Sequence, residues 1–355
     1  MAAKWGDPVM VRVGDRDVRC SNPERPYFPE VGLRKIDVVD YYRAVSEVML
    51  RQVRDRPTTL ERWPTGVLPG VTLTQRDGTK GAAFYQKRVP QGAPDYVQTC
   101  RIAFPSGRTA DEVTPTERAV LVWLATLGTI TMHPWPVRCD EPDTPDELRL
   151  DFDPQPGTTF DDAVEVAQHA RVLLAEWGWR AFPKTSGGRG VHVYVRIQRR
   201  WSFTDVRHAA IAIGRELGRR MPDRVTTNWW KEERGETVFV DYNQNARDRT
   251  IAAPWSVRAR PAATVSCPVT WDELSGCRPG DFTVRTVPER VLTHDDPWAD
   301  IDSAAYDLTP ALDLYARDER DHGLGDMPYP PEYPKMPGEP KRVQPSRRVP
   351  RSEEK

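Results

Sequence analysis

Leu148-Arg149-Leu150-Asp151-Phe152-Asp153 sets two carboxylates two residues apart in a run whose alternate positions are apolar. In a strand, residues i and i+2 share a face, so Leu148, Leu150 and Phe152 turn to a core while Arg149, Asp151 and Asp153 turn outward together. Carboxylates that close repel one another. A hard divalent cation such as magnesium or manganese is the simplest compensation, because it takes oxygen ligands and shares them with substrate phosphates. A second segment, Lys184-Thr185-Ser186-Gly187-Gly188-Arg189-Gly190, is a small-residue turn with hydroxyls and cations that feeds the alternating run Val191-His192-Val193-Tyr194-Val195. Its glycines let backbone N–H groups approach a phosphate, and Arg189 can add a charge-assisted contact. Val238-Phe239-Val240-Asp241-Tyr242 brings a third carboxylate on another apolar run. Three acidic ligands and a phosphate-binding turn are what a two-metal phosphoryl or nucleotidyl transfer site requires.

The elements around these motifs read as one catalytic unit. Thr159 is an N-cap with Asp162 at the third helical position, and Val166, Ala170, Leu173 and Trp177 recur at helical spacing until Gly178. Arg180 to Lys184 and Val191 to Ile197 read as strands joined by the glycine turn. Val206, Ala210, Ile213 and Leu217 mark a second helix, and Val238 to Tyr242 a fourth strand. The order β-α-β-β-α-β is that of a ferredoxin-like or RNA-recognition-like sheet. Its open face is expected to carry Asp151, Asp153, His192 and Asp241 side by side.

The ordered set LDFDP, KTSGGRGVHVYV and VFVDYNQNARDRTIAAPWSVRARPAATVSCPVTWDEL resembles the polymerase domain of bacterial DNA ligase D and its stand-alone relatives in the archaeo-eukaryotic primase superfamily. Upstream, CSNPERPYFPEVGLRKIDVVDYY, DRPTTLERWPTGV, FYQKRVP and TITMHPWP extend the resemblance over roughly residues 10 to 300. It implies an α+β primase-polymerase fold, with the RNA-recognition-like sheet in a catalytic module at about 131–310 and an N-terminal α/β module at about 1–130 packed on it. No ligase or nuclease segment is recognised in these residues, so a free-standing enzyme is expected. By resemblance, Asp151, Asp153 and Asp241 hold two divalent ions, Mn2+ or Mg2+. His133, Ser186, Arg189, His192, Gln244 and Arg258 match positions that bind the incoming nucleoside triphosphate. Asn22, Arg25 and Lys35 match a pocket for the 5′-phosphate of a downstream strand, and Arg62, Phe84, Tyr85 and Lys87 fall on the DNA side. The implied activity is template-dependent filling of short gaps or break ends in DNA repair, from NTPs or dNTPs with a ribonucleotide preference. A DNA ligase and end-binding repair proteins are the implied partners. A primase that starts without a primer, and a non-catalytic module that bridges DNA ends, are the alternatives.

Some positions depart from the family pattern. Arg25 stands where lysine is usual, replacing a point charge by a planar fork. Glu61 precedes Arg62 where a basic pair is common, which removes one cation from the presumed DNA side. Phe84-Tyr85 replaces an aromatic pair, yet tyrosine keeps the flat face that base stacking needs. Val67 to Ala83 is longer than expected and reads as a loop that reshapes the grip on template. His169 is read as carrying no function, Tyr194, Tyr242, Trp229 and Trp230 as packing, and Arg199-Arg200 and Arg219-Arg220 as solvated ends of helices and loops.

Composition bounds the rest. The 355 residues carry 51 Lys+Arg against 52 Asp+Glu, so no global basic field draws nucleic acid and binding must depend on local surfaces. Cysteines 20, 100, 139, 267 and 277 show neither zinc-type spacing nor a disulfide framework. With no 18-residue apolar run and a polar, charged start, a cytoplasmic, nucleoid-associated protein without membrane contact is expected. Residues 311–326 read as a connecting segment. From 327 to 355, eight prolines and no leucine or isoleucine indicate an extended or disordered basic tail.

Overall fold

A computed structural model describes residues 5–74, 81–104 and 107–329 of the chain. The expected element order is present. Strand Glu147–Pro154 leads to helix Phe160–Glu176, then strands Phe182–Thr185 and Val191–Arg196, helix Phe203–Arg220 and strand Val238–Val240. The spatial order is Phe182–Thr185, Val191–Arg196, Glu147–Pro154, Val238–Val240, with Val225–Thr226 added at the edge as the one parallel neighbour. That two-residue strand is too short to show periodicity, which is why sequence reading passed over it. Each helix begins where its cap dictates. Thr159 N and Oγ1 donate to the Asp162 carboxylate at 2.7 and 2.8 Å, and Ser202 Oγ accepts from Asp205 N at 3.2 Å.

The N-terminal residues form a five-stranded sheet of their own, the first in chain order. Thr58–Arg62 lies within it, paired with Phe84–Gln86, Thr109–Thr114 and Thr129–Pro134, and Gln98–Ala103 continues beyond Thr109–Thr114. Helices Lys35–Val53 and Arg118–Thr126 pack against each other beside it. Thr129–Pro134, expected mostly in the catalytic module, therefore belongs to the first sheet. One continuous apolar core runs through both parts. The loop of Val67 to Ala83 folds back on itself, with Thr74 N donating to Ala83 O at 2.7 Å, and residues 75–80 lie outside the described residues.

Leu148, Leu150 and Phe152 are buried on the apolar side, as alternation requires. The opposite face departs from expectation. Instead of lying open it is roofed by the first sheet and by residues 251–257, leaving Arg149, Asp151, His192 and Tyr194 buried and only Asp153 exposed among the residues of that face. Burying charge is costly unless it is paired, and here the pairs cross between the sheets. Arg56, fully buried beside the strand of the first sheet, holds Asp146 at 2.6 Å and Glu147 at 3.0 Å, while Arg149 donates to Glu147 and, at 2.9 Å, to Pro134 O. Arg196 completes the cluster by pairing with Glu147.

Helix Thr309–His322 packs on Phe203–Arg220, correcting the reading of 311–326 as a simple connection. The chain then turns at Gly323, in the left-handed region, and residues 324–329 lie along the second helix; 330–355 fall outside the described residues. No helix among the described residues is long and apolar enough to cross a membrane.

Removing Arg56 leaves Asp146 and Glu147 buried without their shared cation. Arg56→Ala is expected to lower unfolding free energy by about 3–5 kcal/mol in urea titration; a variant as stable as the wild type would show that the cluster does not fasten the sheets.

Candidate active site

Strand pairing brings the three carboxylates to neighbouring positions. Asp151 is the register partner of His192, and Phe152 the partner of Val240, so Asp241 follows at the strand end with its N–H donating to Asp151 O at 2.9 Å. The last strand stops one residue before Asp241, not at Tyr242 as expected. Asp241 instead caps the 3-10 turn Tyr242–Asn245, its carboxylate accepting from Asn243 N at 3.1 Å and Gln244 Nε2 at 3.0 Å. Asn245 ties this turn to the central strand, its amide accepting from Arg149 N at 2.9 Å and donating to Arg149 O at 2.7 Å.

Asp151 and Asp153 line a cavity of about 570 Å³ together with His133, Ser186, Arg189, His192, Gln244 and Arg258. Asp241 stands behind its wall, next to Gln244. The glycine turn is shaped by close approach. Gly187 has φ +69°, and a side chain there would meet the Val265 and Ser266 backbone; at Gly190 it would come within 2.6 Å of Phe152 O. The N–H groups of Gly188 and Gly190 both donate to Ser186 Oγ at 3.1 Å. Those two amides are thus occupied rather than open to phosphate, a correction to the simple turn reading, and the Ser186 hydroxyl proton is left to donate into the cavity. Arg189 is held by Pro154 O at 3.1 Å and Arg258 by Ser186 O at 3.0 Å.

His192 is fixed from behind. Lys184 Nζ lies 2.7 Å from its Nδ1, so with lysine as donor the proton sits on Nε2, which is 3.3 Å from Asp151 Oδ1. Burial, then the charges of Lys184, Arg258 and Arg149, push its pKa well below the ordinary value, so the ring is neutral. His133 is likewise neutral, lowered by burial, and its Nε2 meets Glu61 Oε2 at 3.0 Å. Glu61 is thus buried against the site and does not lie on the DNA side. Its orientation follows from the pairing of Thr58–Arg62 with Thr129–Pro134, in which Thr59 stands opposite His133. Lys184 could have been found from its alternation with Ser186; Arg260 and Arg234, which also line the cavity, had no local signal except the Arg258-x-Arg260 spacing.

The other candidate positions fall in two groups away from the carboxylates. Lys35, buried, donates to Ser21 O at 2.8 Å; Arg25 donates to Pro64 O at 3.0 Å; and Asn22, at φ +51°, accepts from Trp5 N at 3.2 Å. Arg62 donates to Leu127 O at 2.7 Å and to the Gln86 amide at 2.6 Å. Among the described residues no carboxylate pairs with Arg25, Lys35 or Arg62, and burial, with the Arg25 and Arg62 charges, lowers the Lys35 pKa. Nearer the cavity, Tyr85 is 52% exposed and edge-on to His133, Phe84 lies under Arg62, and Lys87 pairs with Asp248.

A model of the LigD primase-polymerase domain matches residues 34–298. The chain belongs to that family. Like other LigD primase-polymerase domains it is a nucleotidyltransferase. It is 31% identical over 320 residues to the multifunctional non-homologous end joining protein LigD of Mycolicibacterium smegmatis, covering 90% of this chain and 40% of that protein. To the protein of the same name in Pseudomonas aeruginosa it is 32% identical over 305 residues, covering 85% and 35%. The chain thus spans about two fifths or less of these relatives' length. The solved polymerase domain from Mycobacterium tuberculosis ligase D in complex with DNA superposes with a TM-score of 0.72 at 31% identity, covering 81% of this chain and 98% of that one.

The LigD primase-polymerase family implies divalent metal, and the donor set here fits it. Asp151 Oδ1 is buried and accepts no hydrogen bond, since His192 Nε2 at 3.3 Å is not aligned with it, and it lies beside two further carboxylates. Among the described residues no three His, Cys, Asp or Glu side chains already converge at ligand distance, because Asp241 is turned toward Asn243 and Gln244. Burial pushes Asp151 up to about 6 and Asp241 up to about 7, and the Asp151 charge followed by burial pushes Asp153 up to about 7. The metal-free fold therefore keeps protons that the unfolded chain, with pKa near 4, gives up. Stability attributable to these groups falls as pH rises from about 4 to about 7. Glu147, held at about 2 against burial by Arg149, Arg56 and Arg196, titrates below that window.

In EDTA, Asp151→Asn is expected to melt higher than wild type at pH 8, by a few degrees, with the gap closing toward pH 5; a gap independent of pH would show that the carboxylates do not repel.

Proposed function

We propose that this chain fills short gaps and break ends in DNA repair by template-dependent addition of nucleotides to a primer 3′-hydroxyl, preferring ribonucleotides and manganese. The observation that carries the reading is a single cavity in which Asp151 and Asp153 face Ser186, Arg189 and Arg258. The carboxylates suit cations and the guanidinium and hydroxyl groups suit phosphate, which is the division of labour that nucleotidyl transfer needs. Asp151, Asp153 and Asp241 would hold two divalent ions, which when bound lower the pKa of the attacking hydroxyl and neutralise charge on the reacting phosphate.

The chain's own groups do the positioning. Arg189 and Arg258 offer guanidinium forks to the triphosphate, and Ser186 adds its hydroxyl proton. His192, neutral and pinned by Lys184, presents Nε2–H beside Asp151 as a donor whose strength does not change near neutral pH. Glu61 holds His133 against the nucleotide side of the cavity, and Tyr85 offers a face for stacking a template base, worth about 1–3 kcal/mol. The uncompensated cluster Arg25, Lys35 and Arg62 supports binding of a downstream 5′-phosphate, with Asn22 beside it. Non-homologous end joining, after which the relatives are named, is the repair route proposed, with a ligase and end-binding proteins as partners.

On a labelled primer in a short gapped duplex, templated extension is expected from wild type with NTPs and manganese, and none from Asp151→Ala/Asp153→Ala; an active double variant would sink the assignment. Replacing the downstream 5′-phosphate by a hydroxyl should weaken binding by about tenfold, the scale of one charged hydrogen bond, and Lys35→Ala should abolish that difference.

A further inference from the structure

Residues 324–329 dock on the side of the 3-10 turn remote from the cavity. Arg207, on helix Phe203–Arg220 and 4% exposed, sends its three donor nitrogens in separate directions: Nη1 to Asp326, Nη2 to Met327 O, and Nε to Asn243 Oδ1 at 2.8 Å. The other end of the Asn243 amide donates to Pro328 O at 3.0 Å, and Tyr242 Oη donates to the same carbonyl at 3.2 Å. Arg215 holds Leu324 O and Gly325 O at 2.9 and 2.6 Å, and Tyr329 Oη donates to Arg247 O at 2.7 Å. Both polar ends of a buried asparagine are thus used, one by the helix and one by the segment, and its backbone N–H is one of the two groups, with Gln244 Nε2, that donate to the Asp241 carboxylate.

We infer that residues 324–329, acting through Arg207 and Asn243, position Asp241 as a metal ligand, so that this segment is part of the catalytic unit. Arg207 and Asn243 are positioning residues, since neither lines the cavity. The physical case is that of an outer hydrogen-bonded shell. A ligand on a short 3-10 turn has few neighbours to hold it, and the rigid fork of Arg207 fixes the turn to a helix and a strap at once. The inference rests on the metal-dependent reading above.

The test is manganese binding to the full chain without nucleotide or DNA, read from the electron paramagnetic resonance of free Mn2+. Wild type is compared with Asp326→Ala and with a chain in which 324–329 is replaced by a flexible glycine-serine hexapeptide. Circular dichroism melting is run in parallel. The replacement is expected to bind manganese about tenfold more weakly and Asp326→Ala about threefold, on the scale of outer-shell losses, at temperatures where both remain folded. Primer extension should then recover at saturating manganese, a shift in metal demand without a matching loss of maximal rate. If the hexapeptide chain fails to fold, the Asp326→Ala isotherm decides alone. Variant isotherms that overlay a wild type that does bind manganese overturn the strap's role only, whereas a wild type that neither binds manganese nor extends a primer overturns the functional reading beneath it.

Discussion

Burial of the polar face of the central strand is the constraint on which the rest of this structure depends. Arg149 and Asp151 alternate with Leu148, Leu150 and Phe152, and both sets are buried. A carboxylate or guanidinium out of water must find partners with good geometry. Those partners come from distant parts of the chain: Arg56 and Pro134 from the first sheet, Asn245 from the turn after the last strand, Arg196 from the neighbouring strand. Satisfying them fixes how the two sheets meet, and the space left over becomes the cavity.

The same burial sets the electrostatics of the site. Around Glu147 the paired guanidinium groups outweigh burial and hold the carboxylate low; at Asp151, Asp153 and Asp241 burial and mutual repulsion outweigh the nearby Lys184, Arg258, Arg189 and Arg234, and the groups are pushed up. Two clusters of acids a few residues apart on one strand thus serve opposite ends. The first joins the sheets through direct ion pairs, and the second keeps carboxylates that no cation pairs with directly, the kind of oxygen ligand a hard divalent cation takes. The histidines fit the same scheme, both neutral, each fixed by a buried ionisable residue: Lys184 behind His192 and Glu61 behind His133.

Much of this was legible in sequence because the catalytic sheet has strong local signals. Period-two alternation located the central strand, the Thr159 box started the first helix, the spacing of Val206, Ala210, Ile213 and Leu217 marked the second, and the glycines of 187–190 marked a turn whose φ and close contacts do require them. Other features carried no such signal. Glu61 looked like a lost cation because only pairing of Thr58–Arg62 with Thr129–Pro134 turns it toward His133. Residues 311–326 looked like a connection because a helix that packs by one face on another, with Asp318 buried under it, has a pattern diluted by charge.

By itself the sequence determined the strand and helix periods, the capping boxes and the proximity of Asp151 to Asp153, since each depends on residues within a turn or a two-residue repeat. Tertiary structure alone decided that the carboxylate face is roofed, that the amides of Gly188 and Gly190 are taken up by Ser186, and that the turn after Asp241 is held through Asn243 by Arg207 and Pro328. The physical reason is range. Local propensity and alternation act over a few residues, whereas charge pairing and hydrogen bonding in a buried face join groups as far apart as Arg56 and Asp146, or Arg207 and Met327, whose meeting no local pattern encodes.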